Sequence, residues 1–377
     1  MVFKRYIVCA ILFSMNKSRI KKRVYICHTY YHAYIATVKE LVKGSSHYGE
    51  ADLILSTMSN DFGSLKERAE SSGIFGSVYM FDEKEDVTFP EVMHYHRDRG
   101  NIVLNLLQRI KYTRLLGKMQ EPYVPADLSD YEDVYVFCDS DPIGYYLNYK
   151  KIPYHAIEDG LNSGLLDDQA YLSNKGAFRL KCFMAKLGLI FIESGYSRYC
   201  MDYEVNDISV NKRPPQNIIE CRCEDMYKRL TESDHMKLVR LFLEEADTLL
   251  SQLNDAKQGN SGIKKPFAMI LTEPLCELDV RKKLFGDIID EYSEEHTVII
   301  KPHPRDILDY EKEFPDTVVI KGKFPMEVMN DIPGFRVEKL ISVITQIDNI
   351  AFADELIYLG LDFLDRYEPP EVHRKNE

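Results

Sequence analysis

The stretch HTVIIKPHPRD, residues 296–306, indicates what kind of fold this sequence makes. Its apolar centre is short and β-branched, as in a buried strand, and prolines follow it. A pattern with helical spacing, VRKKLFGDIIDEYSEEH at 280–296, comes directly before it, and another short apolar run, DTVVIKG at 316–322, follows. Strands that alternate with helices in this way are typical of a parallel α/β sheet, which is the architecture that we predict here.

The same alternation covers most of the chain in two series. The short apolar or β-branched runs of the first series are RVYIC (23–27), ADLILST (51–57), SVYMF (77–81), DVYVFCD (133–139) and PYHAIED (153–159). Those of the second series are FAMILTEP (267–274), HTVIIKP (296–302), DTVVIKG (316–322), KLISVIT (339–345) and ELIYLG (355–360). Two such series predict two doubly wound, Rossmann-like domains that face each other across a cleft.

A polar break, KQGNSGIKK at 257–265, separates the two series. Its Gly, Asn and Ser residues end a long helical pattern at 234–256. We therefore predict an N-terminal domain at 23–257, a linker at 258–265 and a C-terminal domain at 266–377.

The first 22 residues are interpreted as an N-terminal extension outside the fold. The apolar run YIVCAILFSM (6–15) is shorter than the ~20 residues that span a bilayer. Basic residues then crowd the segment NKSRIKKR (16–23). An extension from an upstream start, a membrane-surface anchor and a solvated basic tail all fit this pattern, and the first is favoured.

The composition and net charge of the chain argue against nucleic acid as its ligand. The chain has 377 residues, 45% of them hydrophobic, and a net charge of −12. An acidic protein of this size can bury real cores, but it lacks the basic excess that nucleic-acid binding requires. An anionic small substrate would therefore need a locally basic pocket.

The cysteines and paired histidines are interpreted as structural. The eight cysteines are scattered, several within apolar runs, which is typical of reduced thiols in a cytoplasmic protein. Cys221 and Cys223 form a C-x-C without a second pair, so they do not predict a zinc site. His28 and His32, in HTYYH, have no carboxylate at ligand spacing.

Polar residues with chemical potential follow three of the predicted strands. They are Glu158, Asp159 and Gly160 in AIEDGLNSG, Lys301, His303, Pro304 and Arg305 in KPHPRD, and Ser342 and Thr345 in ISVITQ. Ligands of open α/β sheets bind beyond the carboxyl ends of the strands, so all three segments are candidate site segments. Each also has a structural alternative, as a turn, a stiff proline-bounded loop or a helix cap.

Two of these segments suit an anionic ligand. Prolines on either side of His303 leave its backbone little freedom, and Lys301 and Arg305 flank it with positive charge. Ser342 and Thr345 precede IDNIAFA (347–353), which has a helical pattern. Hydroxyls and free N–H groups at the start of a helix can cradle a phosphate.

The order of these motifs resembles a known group of enzymes. Acidic-acidic-Gly, then KPHP, then a Ser/Thr strand end is similar to bacterial sialyltransferases, and VYICHTYYHAYIA (24–36) and LTEPL (271–275) resemble glycosyltransferase family 52 in particular. The resemblance covers about residues 23–360. The predicted two-domain architecture is the one called GT-B among glycosyltransferases.

The resemblance implies an inverting, metal-independent sialyltransferase. Such enzymes move sialic acid from CMP-sialic acid, which is the donor substrate and not a cofactor, to a sugar hydroxyl. Here the acceptor would be a terminal sugar, first of all galactose, of a lipooligosaccharide or capsular glycan. The partners implied are this donor and an oligosaccharide acceptor, and the resemblance also suggests a homodimer; contact with the inner face of the cell membrane is suggested separately by residues 174–191.

The resemblance also assigns roles to residues. An Asp or Glu takes the acceptor proton, while His303 assists the departing CMP phosphate. Asp159 is preferred over Glu158 because it adjoins the glycine turn, and Asp279 ranks nearly equal because the family places an aspartate about twenty residues before the histidine of the HP motif. Glu277 is near enough to compete. The donor-binding residues implied are Glu158, Gly160, Lys301, Pro304, Arg305, Ser342 and Thr345.

Three alternatives remain at the level of sequence. Asp139 and Asp141 form a D-x-D that could hold a metal for another sugar nucleotide, although Pro142 favours Asp141 as a helix cap. The segment NKGAFRLKCFMAKLGLIF (174–191) could lie on an anionic membrane, although a core helix with snorkelling lysines is favoured. A glycan-binding module on the same fold would not need His303 or the carboxylates.

Overall fold

The structure is a computed structural model that describes residues 21–160, 169–258, 265–303, 306–345 and 350–373. The chain divides into two compact units, Met1–Leu230 and Thr231–Glu377. The expected boundary lay at the polar break after residue 257, whereas the units divide ahead of the two helices that precede this break. The first of these helices is bound to the second unit, because Nδ1 of His235 lies 2.6 Å from Oδ1 of the buried Asp331.

The first unit contains a parallel sheet with helices in its connections. Its strands are β1 (Lys21–Cys27), β2 (Ala51–Ser56), β3 (Val78–Phe81), β4 (Tyr131–Phe137), β5 (Tyr154–Ile157), β6 (Cys200–Val205) and β7 (Ile218–Glu220). Its helices are α1 (Tyr30–Lys43), α2 (Leu65–Ser72), α3 (Pro90–Met93), α4 (Ile102–Gln120), α5 (Pro142–Lys150), α6 (Gln169–Ser173), α7 (Phe178–Lys186) and α8 (Cys223–Tyr227). The strand order is β3-β2-β1-β4-β5-β6-β7.

The second unit repeats this plan on a smaller scale. Its strands are β8 (Phe267–Leu271), β9 (Thr297–Lys301), β10 (Val318–Val319), β11 (Val337–Ser342) and β12 (Ala353–Tyr358). Its helices are α9 (Glu232–Phe242), α10 (Ala246–Gln258), α11 (Leu278–Ser293), α12 (Tyr310–Glu313), α13 (Leu361–Leu364) and α14 (Pro370–His373). The strand order is β10-β9-β8-β11-β12, and the strands pair in parallel.

Both sheets have the strand order of a Rossmann-like fold, in which the order reverses beside the first strand of each half. The reversal lies between β1 and β4 in the first unit and between β8 and β11 in the second. Strands β2 and β8 are buried along their whole length, as expected for sheets covered on both faces. The predicted α/β fold of GT-B type with two Rossmann-like domains is confirmed.

Turn chemistry fixes how the chain leaves the central strands of the first unit. Thr29 caps α1, since its side chain accepts the N–H of His32. After β4, Cys138 adopts a φ of 58° and Pro142 opens α5. A Cβ at Gly144 would lie 2.0 Å from the carbonyl oxygen of Asp139, so only glycine lets α5 pack this closely on the strand end.

The structure differs from the predicted elements in three places. Strands β6 and β7 were not predicted, because CMDYEV is mixed in polarity and IIE has only three residues. The helical pattern at 234–256 is divided into α9 and α10, and Glu245 between them has a φ of 54°. Residues 350–352, within the expected helix IDNIAFA, are not helical, and β12 begins at Ala353.

Among the described residues, no helix combines the length and the apolar character needed to cross a membrane.

Candidate active site

The carboxyl ends of four strands in the first unit bring histidines and carboxylates together. His28 follows β1, Glu83 follows β3, Asp141 follows β4 and Asp159 follows β5. Because parallel strands end at one edge of the sheet, these side chains collect beside the point where the strand order reverses. The sequence predicted Asp159 at this edge and missed the part played by the other residues.

Asp159 is held by a buried histidine. Nε2 of His32 lies 3.0 Å from Oδ1 of Asp159 and 2.7 Å from its carbonyl oxygen. The side chain of His32 is fully buried and stacks on Phe137, whereas the side chain of Asp159 is 62% exposed. The carboxylate therefore faces solvent on one side and a fixed imidazole on the other.

Hydrogen bonds also determine which nitrogen of His32 carries the proton. The backbone N–H of His28 donates to Nδ1 of His32 at 3.1 Å, so the proton resides on Nε2 and is donated to Asp159. Burial lowers the pKa of His32, and the hydrogen bond to Asp159 offsets this only in part. The same hydrogen bond lowers the pKa of Asp159 below its ordinary value. A neutral donor thus orients an ionised carboxylate.

A second, buried pair lies beside it. Nε2 of His28 is 2.8 Å from Oε2 of Glu83, which also accepts the hydroxyl of Ser56 at 2.7 Å. The other oxygen of Glu83 accepts the N–H of Ile143, in the first turn of α5, at 2.7 Å. Glu83 therefore joins the ends of three strands to a helix start, where a negative charge is favoured.

Asp141 is the partly exposed member of this group. Its Oδ2 lies 3.4 Å from Nε2 of His28. Burial raises the pKa of Asp141 to about 6, against the effect of His28. For His28, burial would lower the pKa, but the charge and hydrogen bond of Glu83 raise it above its ordinary value.

The D-x-D pair does not act as a unit. Asp139 is buried and accepts the hydroxyl of Tyr154 and the N–H of Ser194, both at 2.8 Å, while Asp141 faces His28. Burial raises the pKa of Asp139 to about 7. Both oxygens of Asp139 are therefore used inside the fold. Asp141 occupies the predicted N-cap position of α5, but its side chain makes no capping hydrogen bond. Among the described residues, no group of three His, Cys, Asp or Glu side chains could hold a metal ion.

The two neighbours of Asp159 are placed differently. Glu158 is buried, and its Oε1 accepts the N–H of Asn206, which follows β6, at 2.6 Å. Gly160 does not have a positive φ, and a Cβ there would meet no atom within 4 Å. The turn after Asp159 does not depend on glycine in the way that the motif suggested.

In the second unit, a buried network fixes the turn that carries His303. The backbone N–H of His303 donates to Oγ1 of Thr272, which donates to Oδ2 of Asp306; both distances are 3.1 Å. The N–H of Asp306 donates to the carbonyl of His303 at 2.8 Å. Thr272 follows β8, so the turn after β9 is bonded to the end of the neighbouring strand.

Asp306 is the centre of this network. Nη1 of Arg281, on α11, lies 2.7 Å from its Oδ1, and the hydroxyl of Tyr310 lies 2.8 Å from its Oδ2. Burial would raise the pKa of Asp306, but the hydrogen bonds from Leu308, Tyr310 and Arg281 lower it. Asp306 stands two residues from Pro304, yet sequence analysis gave it no role because its partners lie elsewhere in the chain.

Lys301 lies under the same turn. Its ammonium donates to the carbonyls of Pro302 and Gly322 at 3.1 and 3.2 Å and sits 4.3 Å from the ring centre of Phe324. Burial lowers the pKa of Lys301 to about 8. These contacts make Lys301 part of the strand end, and its role in donor binding stays a prediction.

The predicted phosphate cradle is altered. The N–H groups of Ile344 and Thr345 donate to the buried carboxylate of Glu273, and the hydroxyl of Ser342 donates to the carbonyl of Thr345. These N–H groups are therefore not free for a phosphate. Thr345 is exposed, and the role of its hydroxyl in donor binding stays a prediction.

Of the remaining predicted site residues, Asp279 and Glu277 are described by the structure and two are not. Asp279 is exposed in the first turn of α11 and makes no hydrogen bond or ion pair with the described residues, and Glu277 is the residue before this helix. Pro304 and Arg305 lie outside the described residues.

Comparison with known proteins identifies the family of the chain. Two Rossmann-like domains in one chain are the fold of the GT-B glycosyltransferase class. The model of the family described as Glycosyltransferase family 52 matches residues 90–346. The chain belongs to glycosyltransferase family 52, so the family resemblance and the expectation of a glycosyltransferase are confirmed at the level of the family.

Solved structures show the same fold at low sequence identity. A 2,6-sialyltransferase of a Photobacterium species, in a ternary complex with CMP and lactose, has a TM-score of 0.52 at 10% identity, covering 94% of this chain and 78% of its own. A sialyltransferase of Photobacterium damsela has a TM-score of 0.51 at 11% identity, covering 89% and 73%.

A curated relative matches part of the chain. An uncharacterized protein of Haemophilus influenzae is 27% identical over 217 residues, which are 54% of this chain and 60% of that protein. The match therefore spans less than two thirds of the relative's length.

Proposed function

We propose that the protein is an inverting, metal-independent sialyltransferase that moves sialic acid from CMP-sialic acid to a hydroxyl of a terminal sugar, first of all galactose, of a surface glycan. Family membership supports glycosyl transfer. The choice of donor is supported by the motif order and by the fold shared with a sialyltransferase whose structure holds CMP and lactose.

The pairing of Asp159 with His32 carries the proposal. Asp159 presents an ionised, largely exposed carboxylate whose orientation is set by a buried imidazole. A carboxylate suits the base role because its charge also stabilises a neighbouring oxocarbenium-like carbon. Asp279, the other candidate base, has no comparable support from the described residues. We therefore assign the base to Asp159 and keep Glu158 as a residue that shapes the strand end.

In the proposed step, an acceptor hydroxyl attacks the anomeric carbon of the sialyl group from the face opposite CMP. A new C–O bond forms while the bond from this carbon to the phosphate oxygen breaks, and that oxygen keeps the electron pair. The acceptor proton passes to Asp159. His303, held by Thr272 and Asp306, donates to the departing phosphate and so stabilises its charge.

The first test is a transfer assay in EDTA. The purified protein is incubated with CMP-sialic acid and a panel of galactosides, and CMP release and sialylated product are measured by mass spectrometry. We expect acceptor-dependent product, and we expect His303→Ala to lower turnover by about 10²-fold or more. A near-wild-type rate in that variant would remove the proposed role of His303.

Other outcomes would select another function. Product that forms only with manganese and a different sugar nucleotide would favour a metal-dependent transferase, although Asp139 is engaged within the fold. Glycan binding without turnover under any donor would favour a non-catalytic module. A cytoplasmic location and a homodimer stay predictions; the second is checked by sedimentation.

A further inference from the structure

Two helices of the first unit expose an unusual amount of apolar surface. On α4 the exposed apolar residues are Ile102, Val103, Leu104 and Leu107, and on or just after α7 they are Leu180, Phe183 and Leu187. Their exposed fractions run from 45% for Leu180 to 61% for Val103. Single exposed apolar residues are ordinary, but a group of them marks a surface that meets something apolar.

These residues follow the period of their helices. On α4 the exposed positions Leu104 and Leu107 continue as Lys111, Arg114 and Lys118, three to four residues apart. On α7, Arg179 and Lys186 alternate in the same way with the exposed apolar residues. Each helix therefore presents an outward stripe of apolar and basic side chains.

The two helices are neighbours in the fold. Leu106 and Ile110 of α4 pack against the cluster that contains the buried Met184 and Ala185 of α7. One side of α7 is thus buried in the core, as the sequence analysis expected of a core helix. The other side of α7 is exposed. The exposed residues of both helices form what we call the basic-apolar face.

Charge distinguishes this face from the rest of the molecule. In a chain of net charge −12, residues 99–120 and 171–189 contain nine Lys or Arg and no Asp or Glu. The nine are Arg99, Arg109, Lys111, Arg114, Lys118, Lys175, Arg179, Lys181 and Lys186. None of them forms a salt bridge with a carboxylate in the described part of the chain, in contrast to the nearby Lys150, which pairs with Glu121 at 2.7 Å.

A cavity of about 470 Å³ opens between the first turn of α4 and the start of α7. Arg109, Lys175 and Lys181 line it, together with one acidic residue, Asp98. Asp98 accepts the N–H of Gly100 at 2.8 Å, and its single negative charge offsets only one of the three cations. The cavity therefore keeps an excess of positive charge that an anionic group would neutralise.

We propose that the basic-apolar face docks the protein on an anionic phospholipid bilayer. The apolar side chains enter the boundary between headgroups and acyl chains, the basic ones contact lipid phosphates, and the cavity accepts a phosphate-bearing headgroup. A second copy of the chain fits the basic-apolar face less well than an anionic bilayer does. A two-fold interface would bring the same uncompensated cations of both copies together, and they would repel each other. The inference does not rest on the proposed reaction.

The test is co-sedimentation of the full chain with vesicles of phosphatidylglycerol and phosphatidylethanolamine, compared with phosphatidylcholine alone. We expect binding only to the anionic vesicles, weakened by salt. Leu180→Asp with Phe183→Asp, and separately Arg179→Glu with Lys186→Glu, should each lower the bound fraction by about tenfold. Val87→Asp and Lys212→Glu are matched exposed controls elsewhere in the first unit and should leave binding unchanged.

Circular dichroism and turnover on a soluble acceptor show whether the variants fold. Equal binding to both kinds of vesicle would overturn the proposal, as would anionic binding that neither double variant changes. Sedimentation velocity without lipid tests whether a second copy of the chain binds this face instead. A dimer that Phe183→Asp dissociates, with vesicle binding unaltered, would make this face a self-association surface and would also overturn the proposal.

Discussion

Nε2 of His32 donates to Asp159, lying 2.7 Å from its carbonyl oxygen and 3.0 Å from its Oδ1, and the two residues are 127 positions apart in the chain. The orientation of the imidazole is fixed by the N–H of His28, which donates to Nδ1, and by stacking on Phe137. A side chain at the protein surface thereby gains the fixed orientation of a buried one. His32 is a positioning residue in this arrangement, since it acts through Asp159.

Replacing His32 should change the pH dependence of the reaction. In His32→Phe the hydrogen bond that lowers the pKa of Asp159 is lost, so that pKa rises and the acidic limb of the kcat/KM profile moves to higher pH. We expect kcat to fall by roughly tenfold as well. His32→Gln, whose amide can still donate to Asp159, should restore part of the profile. An acidic limb at the wild-type pH in His32→Phe would contradict the positioning role.

Asp159→Asn and Asp279→Asn separate the two candidate bases. Loss of a general base lowers kcat by about 10²- to 10⁴-fold, and we expect this for Asp159→Asn. Asp279 is exposed and has no partner among the described residues, so Asp279→Asn should stay within about threefold of wild type. Turnover with CMP-sialic acid is the measurement. The reverse result would move the base to Asp279.

Thr272→Val tests the network that holds His303. The substitution keeps the shape of the side chain but removes the acceptor for the N–H of His303 and the donor to Asp306. We expect a loss of about 1–3 kcal/mol in the free energy of unfolding and a lower kcat. Thr317→Val is the matched control, because its hydroxyl donates to the carbonyl of Phe314 and not to this turn. Equal losses of kcat in both variants would show that the network does not position His303.

Glu273→Gln tests whether the loop after β11 binds the donor. Oε1 of the buried Glu273 carboxylate accepts the N–H groups of Ile344 and Thr345, and Oε2 also lies 3.1 Å from the nitrogen of Ile344. The amide of Gln has no charge, and with its oxygen in the place of Oε1 its NH2 group would face the N–H of Ile344. If Ser342 and Thr345 contact CMP-sialic acid, the KM for the donor should rise several-fold with kcat nearly unchanged. An unchanged KM in a folded variant would remove this loop from the donor site.

Lys301 predicts a pH dependence of stability. Burial lowers its pKa from 10.5 to about 8, so between these values the unfolded chain binds the proton and the folded chain does not. The free energy of unfolding should therefore rise with pH in this window, by about 3 kcal/mol in all. Relative to Lys301→Met, wild type should gain about 2 kcal/mol between pH 7 and pH 9.5 in urea unfolding. Parallel curves for the two proteins would show that Lys301 is not a buried charge.

Much of the fold could be read from local patterns. The ten predicted strands are present because a β-branched run of four to seven residues, bounded by turn residues, leaves few other structures open. Polar or very short strands, such as β6 and β7, carry no such pattern, and their place is set by pairing: β6 pairs with β5, and β7 pairs with β6. The helix expected at 347–353 is absent from the described residues 350–352 for a related reason, because residues from Ala353 onward pair with β11.

The sequence by itself determined the two Rossmann-like series, the strand ends that carry Asp159 and His303, and the stiff backbone around His303, since periodicity and proline act over a few residues. Only the tertiary structure decided which side chains meet. His32 beside Asp159, Arg281 beside Asp306 and Glu273 beneath Thr345 are pairs made by parallel crossovers, which bring distant strand ends to one edge of a sheet. It also decided which side of α7 is buried, because that depends on α4 and not on the sequence of α7 alone.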